Sequence, residues 1–467
     1  MPKKKIPKAT TPTERLKTLR GQSRDELAAL LAELAAKHPE VEERLARHAL
    51  AADPARLAAE FRKRLQSWKR SKRFYWRSAA RPFARELETW VDEITLELLP
   101  LDAAKAHDLA DAFVRSDVKF FEQADDSDGA IGDAMRAGCE LWLRSAKAQT
   151  NRQAAEWVES VHALVAADEY GARQALLRHA DLLFDVPDLR ALASRFEADL
   201  EEALQVHSEG EGRNYGVYKA AGAVGLIADV LRDPDLSTKA TLSYSPSPNP
   251  LQKHDFADRY IRYGRPAEAL VWLEGDWNYH EADRQRLLAE AYAALGDTER
   301  LQSVRRTLFD RTGSPGDFEA WCQNLAPGDH ARAAEVARER AQTLDDPISG
   351  AQLLLAINDD AGAEALLVAR QVAVRGESYV CLVPLAQELE SKGRLQGTIV
   401  CYRALLLAIL ARAYSKAYGH AAKYLCTLRR LDTSMVDYGP LDTHETFESA
   451  VRTAHARKTS FWTRVGV

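Results

Sequence analysis

The sequence predicts an all-α protein with two helical lobes. Apolar residues recur at spacings of three and four through most of the 467-residue chain, which is the period of an amphipathic helix. Alternation with a period of two, which indicates half-buried strands, is almost absent. A stretch rich in proline and serine at 243–250 interrupts the helical pattern and is typical of a linker or a long surface loop.

These observations predict an N-terminal helical bundle or irregular solenoid followed by a lobe of helical repeats. The expected parts are a basic mobile tail at 1–24, an N-terminal helical domain at 25–206, a helix and linker at 207–252, a repeat domain at 253–415 and capping helices at 416–467.

Composition indicates an ordinary soluble protein, since 46% of the residues are hydrophobic and 28% are charged. The longest apolar run, at 404–410, is much shorter than the 18 or more residues that a membrane span needs. The five cysteines are scattered and form no C-x-x-C pair, which is typical of reduced thiols in the cytoplasm. We therefore expect a cytoplasmic protein that has no membrane contact, no bound metal and no cofactor.

The charge is distributed unevenly along the chain. Residues 1–85 contain 22 Lys and Arg against 9 Asp and Glu, which gives +13, so residues 86–467 carry −18 of the total of −5. An asymmetry of this size indicates a basic N-terminal surface that has its own partner or that meets the acidic remainder.

The first helices have clear start signals. Ser23 followed by Glu26 makes a capping box, and the leucines at 27, 30, 31 and 34 supply an apolar stripe. Asp53 and Pro54 start the next helix. Pro82 is predicted to open the helix after that, because proline is tolerated in a first turn.

The segment 61–85 combines ten Lys or Arg with interleaved aromatic residues and contains no acid. Basic and aromatic side chains together suit phosphate contact and base stacking. Alternatively, these aromatics belong to the core, since Trp68 continues the helical face of Leu57, Phe61 and Leu65, and the charges form a solvated or protein-facing surface. The candidate residues for contact with nucleic acid or another partner are Arg62, Lys63, Lys69, Arg70, Lys72, Arg73, Tyr75, Trp76 and Arg77.

An acidic loop follows at 125–129 and contains Asp125, Asp126, Asp128 and Gly129. Aspartates that alternate before a glycine are typical of a calcium loop, but the two outer carboxylates of such a loop are missing. A turn whose aspartate caps the next helix is the simpler interpretation.

Five glycines organise the second lobe at regular intervals. Gly264, Gly296, Gly328, Gly362 and Gly393 are separated by 32, 32, 34 and 31 residues, and each stands between two apolar, helix-like runs. A period of about 34 residues with one helix–turn–helix per unit is typical of tetratricopeptide-type solenoids. Glycine suits these turns because it adopts the left-handed conformation without a Cβ penalty.

The unit around Gly393 matches the tetratricopeptide pattern best. Ala386 and Tyr402 stand where the pattern has a small residue and an aromatic one, whereas Gly397 or Thr398 replaces its usual alanine. The units at Gly328 and Gly362 match only by their glycines and alanine-rich helices.

The layout also resembles a bacterial family of unknown function, some relatives of which occur alongside SWIM-type zinc fingers. The segments that carry the resemblance lie at 23–27, 70–76, 125–132, 420–425 and 455–462. The resemblance implies interaction sites at the acidic loop and at the C-terminal tail. The chain lacks the cysteines of a SWIM finger, so zinc is not implied.

No nucleophile–base set or metal cluster is visible in the sequence. We therefore predict a non-catalytic scaffold that binds a protein or peptide in the groove of its repeats. The alternative is a nucleic-acid-binding accessory factor that uses the basic segment 61–85.

Overall fold

The computed structural model describes residues 17–50, 52–150, 152–207, 215–323 and 325–466. Within these ranges the protein is all-α, as the sequence predicts, and its one strand-like contact is a parallel β-bridge between Tyr75 and Ala124. No helix in the same ranges combines the length and the apolar character that crossing a lipid bilayer requires. The first 16 residues of the predicted basic tail and positions 208–214 of the predicted linker region lie outside the described residues.

The chain divides into two compact units, Met1–Ser247 and Pro248–Val467. The helices of the first unit are α1 (Arg24–Lys37), α2 (Pro39–Ala49), α3 (Pro54–Arg70), α4 (Arg77–Glu93), α5 (Ala103–Val114), α6 (Asp117–Glu122), α7 (Ala130–Lys147), α8 (Ala154–Ala166), α9 (Ala175–Arg178), α10 (Val186–His207), α11 (Tyr215–Leu231) and α12 (Pro234–Tyr244). A π-helical turn, Ile94–Leu98, extends α4.

One continuous core joins α3 to α12 in the first unit. The predicted face of α3 is buried, with Phe61 against Trp90 of α4 and Trp68 against Phe83. Helix α7 packs on both α4 and α5, and α10 packs on α11. Aromatic rings fill much of the space between these helices, which fixes where the surface residues of α3 and α4 lie.

The N-terminal helix α1 is capped as predicted but is not part of this core. Ser23 accepts a hydrogen bond from the Glu26 N–H while the Glu26 carboxylate accepts one from the Ser23 N–H. The predicted leucine stripe is nevertheless largely exposed, and Ala35 is the one buried residue of α1. The leucines share one face of the helix, as their spacing predicts. Within the described part of the chain, however, α1 packs mainly on α2.

The prediction that Pro82 opens a helix is wrong. Helix α4 begins at Arg77, directly after the β-bridge of Tyr75, so Pro82 lies inside the helix. Proline removes the N–H that would bond to the carbonyl of Ser78. Both residues are exposed, so the helix accommodates the proline on its solvent-facing side.

The second unit contains α13 (Pro250–Arg262), α14 (Pro266–Trp272), α15 (Glu281–Leu295), α16 (Thr298–Thr312), α17 (Pro315–Cys322), α18 (His330–Thr343), α19 (Pro347–Ala356), α20 (Asp360–Ala369), α21 (Tyr379–Ser391), α22 (Leu395–Ala411), α23 (Tyr418–Asp432), α24 (His444–His455) and α25 (Thr459–Val465). Several consecutive helices of this unit pack closely in pairs: α13 on α14, α15 on α16, α19 on α20 and α21 on α22.

Three of the five predicted turn glycines behave as expected. Gly264, Gly296 and Gly393 have φ angles of 77°, 72° and 72° and follow α13, α15 and α21. An added Cβ at any of them would meet nothing within 4 Å, so the backbone conformation is the reason for glycine there.

The prediction for Gly362 is wrong. The prediction for Gly328 is right about its place between two helices and wrong about the left-handed conformation. Gly328 lies in a 3-10 turn, Pro327–Asp329, and Gly362 lies inside α20, where its N–H donates to the capping carboxylate of Asp359. The left-handed position between α19 and α20 is occupied by Asn358, with φ 59°. Asparagine tolerates this conformation better than most residues, so a glycine search overlooks the turn.

The end of the chain packs on the preceding helices. Phe461 is fully buried and its ring lies 6.0 Å from that of Tyr418 in α23. The Trp462 indole N–H donates to the carbonyl of His455. These contacts seal the end of the larger core of this unit, which runs from α16 to α25.

Candidate functional site

The basic segment lies on the surface of the first unit, where α3 ends and α4 begins. Seven of its ten cations are exposed and have no carboxylate partner within the described part of the chain: Arg62, Lys63, Lys69, Arg70, Lys72, Arg73 and Arg85. Arg64 pairs with Glu93, and Arg77 and Arg81 both pair with Asp128. The charges therefore form an exposed surface and are not consumed by neighbouring acids.

The aromatic residues of this segment divide between core and solvent. Trp68 is buried, and the Tyr75 ring stacks on Phe83 with centroids 4.0 Å apart. Phe74 and Trp76 point outward with 43% and 71% of their surface exposed, and their rings meet edge to face at 4.9 Å. The core interpretation thus holds for two of these residues, and the other two remain available for contact.

The extended link between α3 and α4 explains this division. Side chains alternate along an extended backbone, so the inward Tyr75 places its two neighbours outside. Two backbone hydrogen bonds hold it, from the Tyr75 N–H to Gln123 O at 2.7 Å and from the Asp125 N–H to Tyr75 O at 2.9 Å. The Gln123 amide also donates to the carbonyl of Ser71 at 2.9 Å. The link is therefore a fixed support for Phe74 and Trp76.

Two of the three aspartates of the acidic loop have a local structural role. The Asp126 carboxylate accepts hydrogen bonds from the N–H groups of Ile131 and Gly132 in the first turn of α7, which is the predicted cap. The Asp125 carboxylate accepts one from the Ser127 N–H, and Gly129 takes the left-handed conformation that precedes α7. The loop is thus built as a helix start.

Asp128 joins the acidic loop to the basic segment, although the sequence separates them by some fifty residues. Its Oδ1 accepts hydrogen bonds from Nε and Nη2 of Arg77 at 3.1 and 2.6 Å, and its Oδ2 lies 3.3 Å from Nε of Arg81. These contacts, the Arg77 hydrogen bond first, lower the pKa of the Asp128 carboxyl. The two candidate sites predicted separately therefore form one surface.

A second candidate site, in the C-terminal unit, was missed at the sequence level. An apolar groove of about 670 Å³ runs between α21, α22 and the start of α23. Tyr379, Val380 and Tyr414 line it and are exposed, and Val380 has 71% of its surface accessible. These residues stand at helix ends and off the apolar stripes, so periodicity gives no signal for them.

A neighbouring cavity of about 660 Å³ shares Gly376, Glu377 and Ala408 with this groove. An added Cβ at Gly376 would lie 2.0 Å from the carbonyl oxygen of Ala404, so glycine allows the chain to lie directly on α22 here. The groove and the cavity are thus two parts of one recess along α22.

Arg403 lines this recess and is 92% buried, with 8% of its surface exposed. Its Nη2 donates to the carbonyl of Asp442 at 2.7 Å, its guanidinium lies 4.4 Å from the ring centre of Phe447, and its buried Nε has no partner. Burial lowers its pKa, an effect that the more distant carboxylates of Asp442 and Asp432 only partly offset. In the sequence, Arg403 can be recognised as the one charged residue among the apolar residues of α22.

Arg173 is the other buried arginine of the described part, and it has the carboxylate partner that Arg403 lacks. Its Nε and Nη2 donate to the two carboxylate oxygens of Asp117 at 2.9 and 2.7 Å. Arg403 has no carboxylate within 4.0 Å among the described residues. A buried charge without a counterion is costly, and a ligand that supplies a carboxylate removes that cost.

Across the ranges that the structure describes, no group of three His, Cys, Asp or Glu side chains is arranged to hold a metal ion. Two cysteines in those ranges, Cys139 and Cys401, are buried, and burial raises the pKa of Cys401 to about 12.

Comparison with known proteins gives a family without a function. The profile of a family described as a family of unknown function (DUF6880) matches residues 10–464, which is nearly the whole chain. A search of the curated proteins finds no match. The family match agrees with the resemblance to a family of unknown function, and it carries no information on repeats, SWIM-type zinc fingers or a bacterial source.

Proposed function

This chain belongs to the DUF6880 family of unknown function, and we propose that it is a non-catalytic helical-repeat scaffold that binds a peptide of a protein partner. The peptide lies in the recess along α22, with apolar side chains in the groove and a carboxylate at Arg403. The observation that carries the proposal is a buried guanidinium without a counterion beside exposed apolar side chains. Cytoplasmic location belongs to the same proposal.

The turn positions support the repeat architecture. Left-handed residues at 264, 296, 358 and 393 each join two packed helices. Their separations are 32, 62 and 35 residues, and the middle one corresponds to two units of 31. Between these turns lie α17 and α18, which are joined by the 3-10 turn that contains Gly328. This spacing is close to the repeat of about 34 residues in tetratricopeptide units.

Close packing of the helices in the best-matching unit supports the same interpretation. Ala386 is fully buried and Tyr402 nearly so, as the pattern expects. Gly397, which replaces the usual alanine, brings α22 close to α20, since an added Cβ would lie 3.3 Å from the Cα of Glu364. The departure from the pattern thus has a packing reason.

The recess suits an apolar peptide better than a polar small molecule. Exposed apolar side chains in a groove are typical of surfaces that bury a partner's helix or extended segment. Glu377 and Arg412 on its rim lie 3.9 Å apart and neutralise each other, so the uncompensated charge is that of Arg403 together with the exposed Arg375. The partner segment is therefore apolar with at least one carboxylate.

An array of 12-residue peptides tests this proposal with the full chain. The peptides carry two apolar anchors and one Asp or Glu at varied spacing, and each has a counterpart with Asn or Gln. A charge-assisted hydrogen bond contributes about 1.5–3 kcal/mol, so we expect the carboxylate peptides to bind roughly tenfold to hundredfold more tightly than their amides. If no peptide binds with a Kd below about 1 mM, or if amides bind equally well, the proposal is wrong.

Exposed positions provide variants that leave the fold intact. Val380→Asp and Tyr379→Ser remove groove contacts and should abolish binding of the best peptide. Tyr279→Ser, at a residue that is 99% exposed and outside the recess, is the matched control and should bind normally.

A further inference from the structure

We propose that the surface formed by residues 69–77 of the first unit, the aromatic–basic platform, binds single-stranded nucleic acid. Bases stack on Trp76, which Phe74 supports from the side, and phosphates contact the flanking lysines and arginines. This site is separate from the peptide recess of the second unit and does not depend on it.

The exposed indole is the first argument. Trp76 has 71% of its surface accessible, although a large aromatic ring gains free energy by burial, and the neighbouring Tyr75 shows that the core accepts a ring from this link. Base stacking on an exposed aromatic ring is tolerant of sequence because every base has a π-face.

The rigidity of the platform is the second argument. Tyr75 is held by two backbone hydrogen bonds to residues 123 and 125 and by its stack on Phe83, so the conformation of its outward neighbours is set before a ligand arrives. A preorganised contact loses little conformational entropy on binding, which favours affinity.

The arrangement of charge is the third argument. Lys69, Arg70, Lys72 and Arg73 are exposed, lie within seven residues of Trp76 and have no carboxylate partner in the described part of the chain. Lys72, Phe74 and Trp76 are all exposed along the link between α3 and α4. This places phosphate contacts beside the stacking ring, as a single strand requires.

A stacked ring beside cations favours a single strand over the alternatives. A duplex keeps its bases stacked on each other, and an acidic protein surface offers no base to cover the indole. A duplex and an acidic protein surface are therefore the alternative ligands that the experiment must distinguish from a single strand.

Fluorescence anisotropy of the full chain with four labelled probes tests the proposal. The probes are a 20-nucleotide oligo-dT, an abasic strand of the same length, a 20-base-pair duplex and a polyglutamate peptide of matched charge. We expect oligo-dT to bind most tightly, and its log K to fall with log salt at a slope of about −3 if four phosphates are contacted. No binding of oligo-dT at 50 mM salt overturns the proposal.

Trp76→Ala is the decisive variant, and its exposure means that the fold does not depend on it. It should weaken oligo-dT binding by about 5- to 100-fold and leave the abasic strand unaffected, while Trp76→Phe restores most of the affinity. Equal affinity of the unmodified protein for oligo-dT and the abasic strand overturns base stacking. Binding of the duplex or polyglutamate as tight as that of oligo-dT also overturns the proposal and assigns the surface to that class of partner.

Charge variants complete the experiment. Reversal of three platform cations, Arg70, Lys72 and Arg73 to Glu, should abolish binding of both oligo-dT and the abasic strand. The control reverses three exposed arginines on other helices of the same unit and should bind normally: Arg136, Arg178 and Arg195. Asp128→Asn frees Arg77 and Arg81 for phosphate and should tighten binding by about twofold or more.

Discussion

The replacement Glu448→Gln should weaken the packing of α24 on α23. The Glu448 carboxylate, in α24, accepts hydrogen bonds from Nε and Nη2 of Arg429 at 3.0 and 2.7 Å and from Nε and Nη2 of Arg452 at 3.1 and 2.7 Å. His444 Nε2 lies 3.1 Å away. Arg429 belongs to α23, so this carboxylate is the ionic link between the two helices.

The size of the effect follows from the pKa of this carboxyl. The hydrogen bond from Arg429 is the largest of the interactions that lower it from 4.5 to about 2. At about 1.36 kcal/mol per pKa unit, this depression corresponds to about 3 kcal/mol of stability at neutral pH. The Glu448 side chain is 14% exposed, whereas Arg429 and Arg452 are 34% and 41% exposed, so solvent screens the pairs in part and about 3 kcal/mol is the upper value.

The same pKa sets the pH dependence. Because the folded carboxyl binds a proton less readily than the unfolded one, its contribution is complete above pH 4.5 and is lost as the pH falls toward about 2. About 1.4 kcal/mol should remain at pH 3. The difference between the unmodified protein and Glu448→Gln should therefore shrink by roughly half between pH 7 and pH 3.

Hydrogen exchange of the backbone amides at 444–465 measures this difference directly. Glu445→Gln, at an exposed position of the same helix, is the matched control and should change the opening free energy by less than about 0.5 kcal/mol. If Glu448→Gln changes exchange at pH 7 no more than the control does, or if its effect grows as the pH falls, the reasoning about this carboxylate is refuted.

Three further predictions concern residues of the two compact units. Asp117→Asn leaves Arg173 buried without a counterion and should lower the free energy of unfolding in urea by about 3–5 kcal/mol; a loss below about 1 kcal/mol contradicts it. Gly393→Ala forces a Cβ into the left-handed conformation and should cost about 1–2 kcal/mol in the same assay, whereas Gly328→Ala should be close to neutral; equal effects disagree with the assigned turns. A thiol-exchange reagent at pH 8 should rapidly label the exposed Cys381 and Cys426 in the folded protein. The other cysteines should react only slowly or after unfolding, and a third rapidly reacting thiol contradicts the structure.

The sequence by itself determined the helical class and many of the positions at which helices start and end. The capping box at Ser23, the start after Asp53 and the turns at Gly264, Gly296 and Gly393 depend on contacts within a few residues, which spacing and residue type encode directly. The buried face of α3 is predictable for the same reason. The failures at Gly362 and Pro82, and the missing left-handed conformation at Gly328, occur where the residue type fits more than one position of a helix or turn.

The tertiary structure alone decided which residues are available to a partner. The exposure of Trp76 depends on hydrogen bonds between Tyr75 and residues 123 and 125, and the pairing of Arg77 with Asp128 joins positions 51 residues apart. The isolation of Arg403 is visible only once its surroundings are known. These properties arise from packing between segments distant in the chain, because exposure and charge compensation depend on every neighbour and not on local sequence.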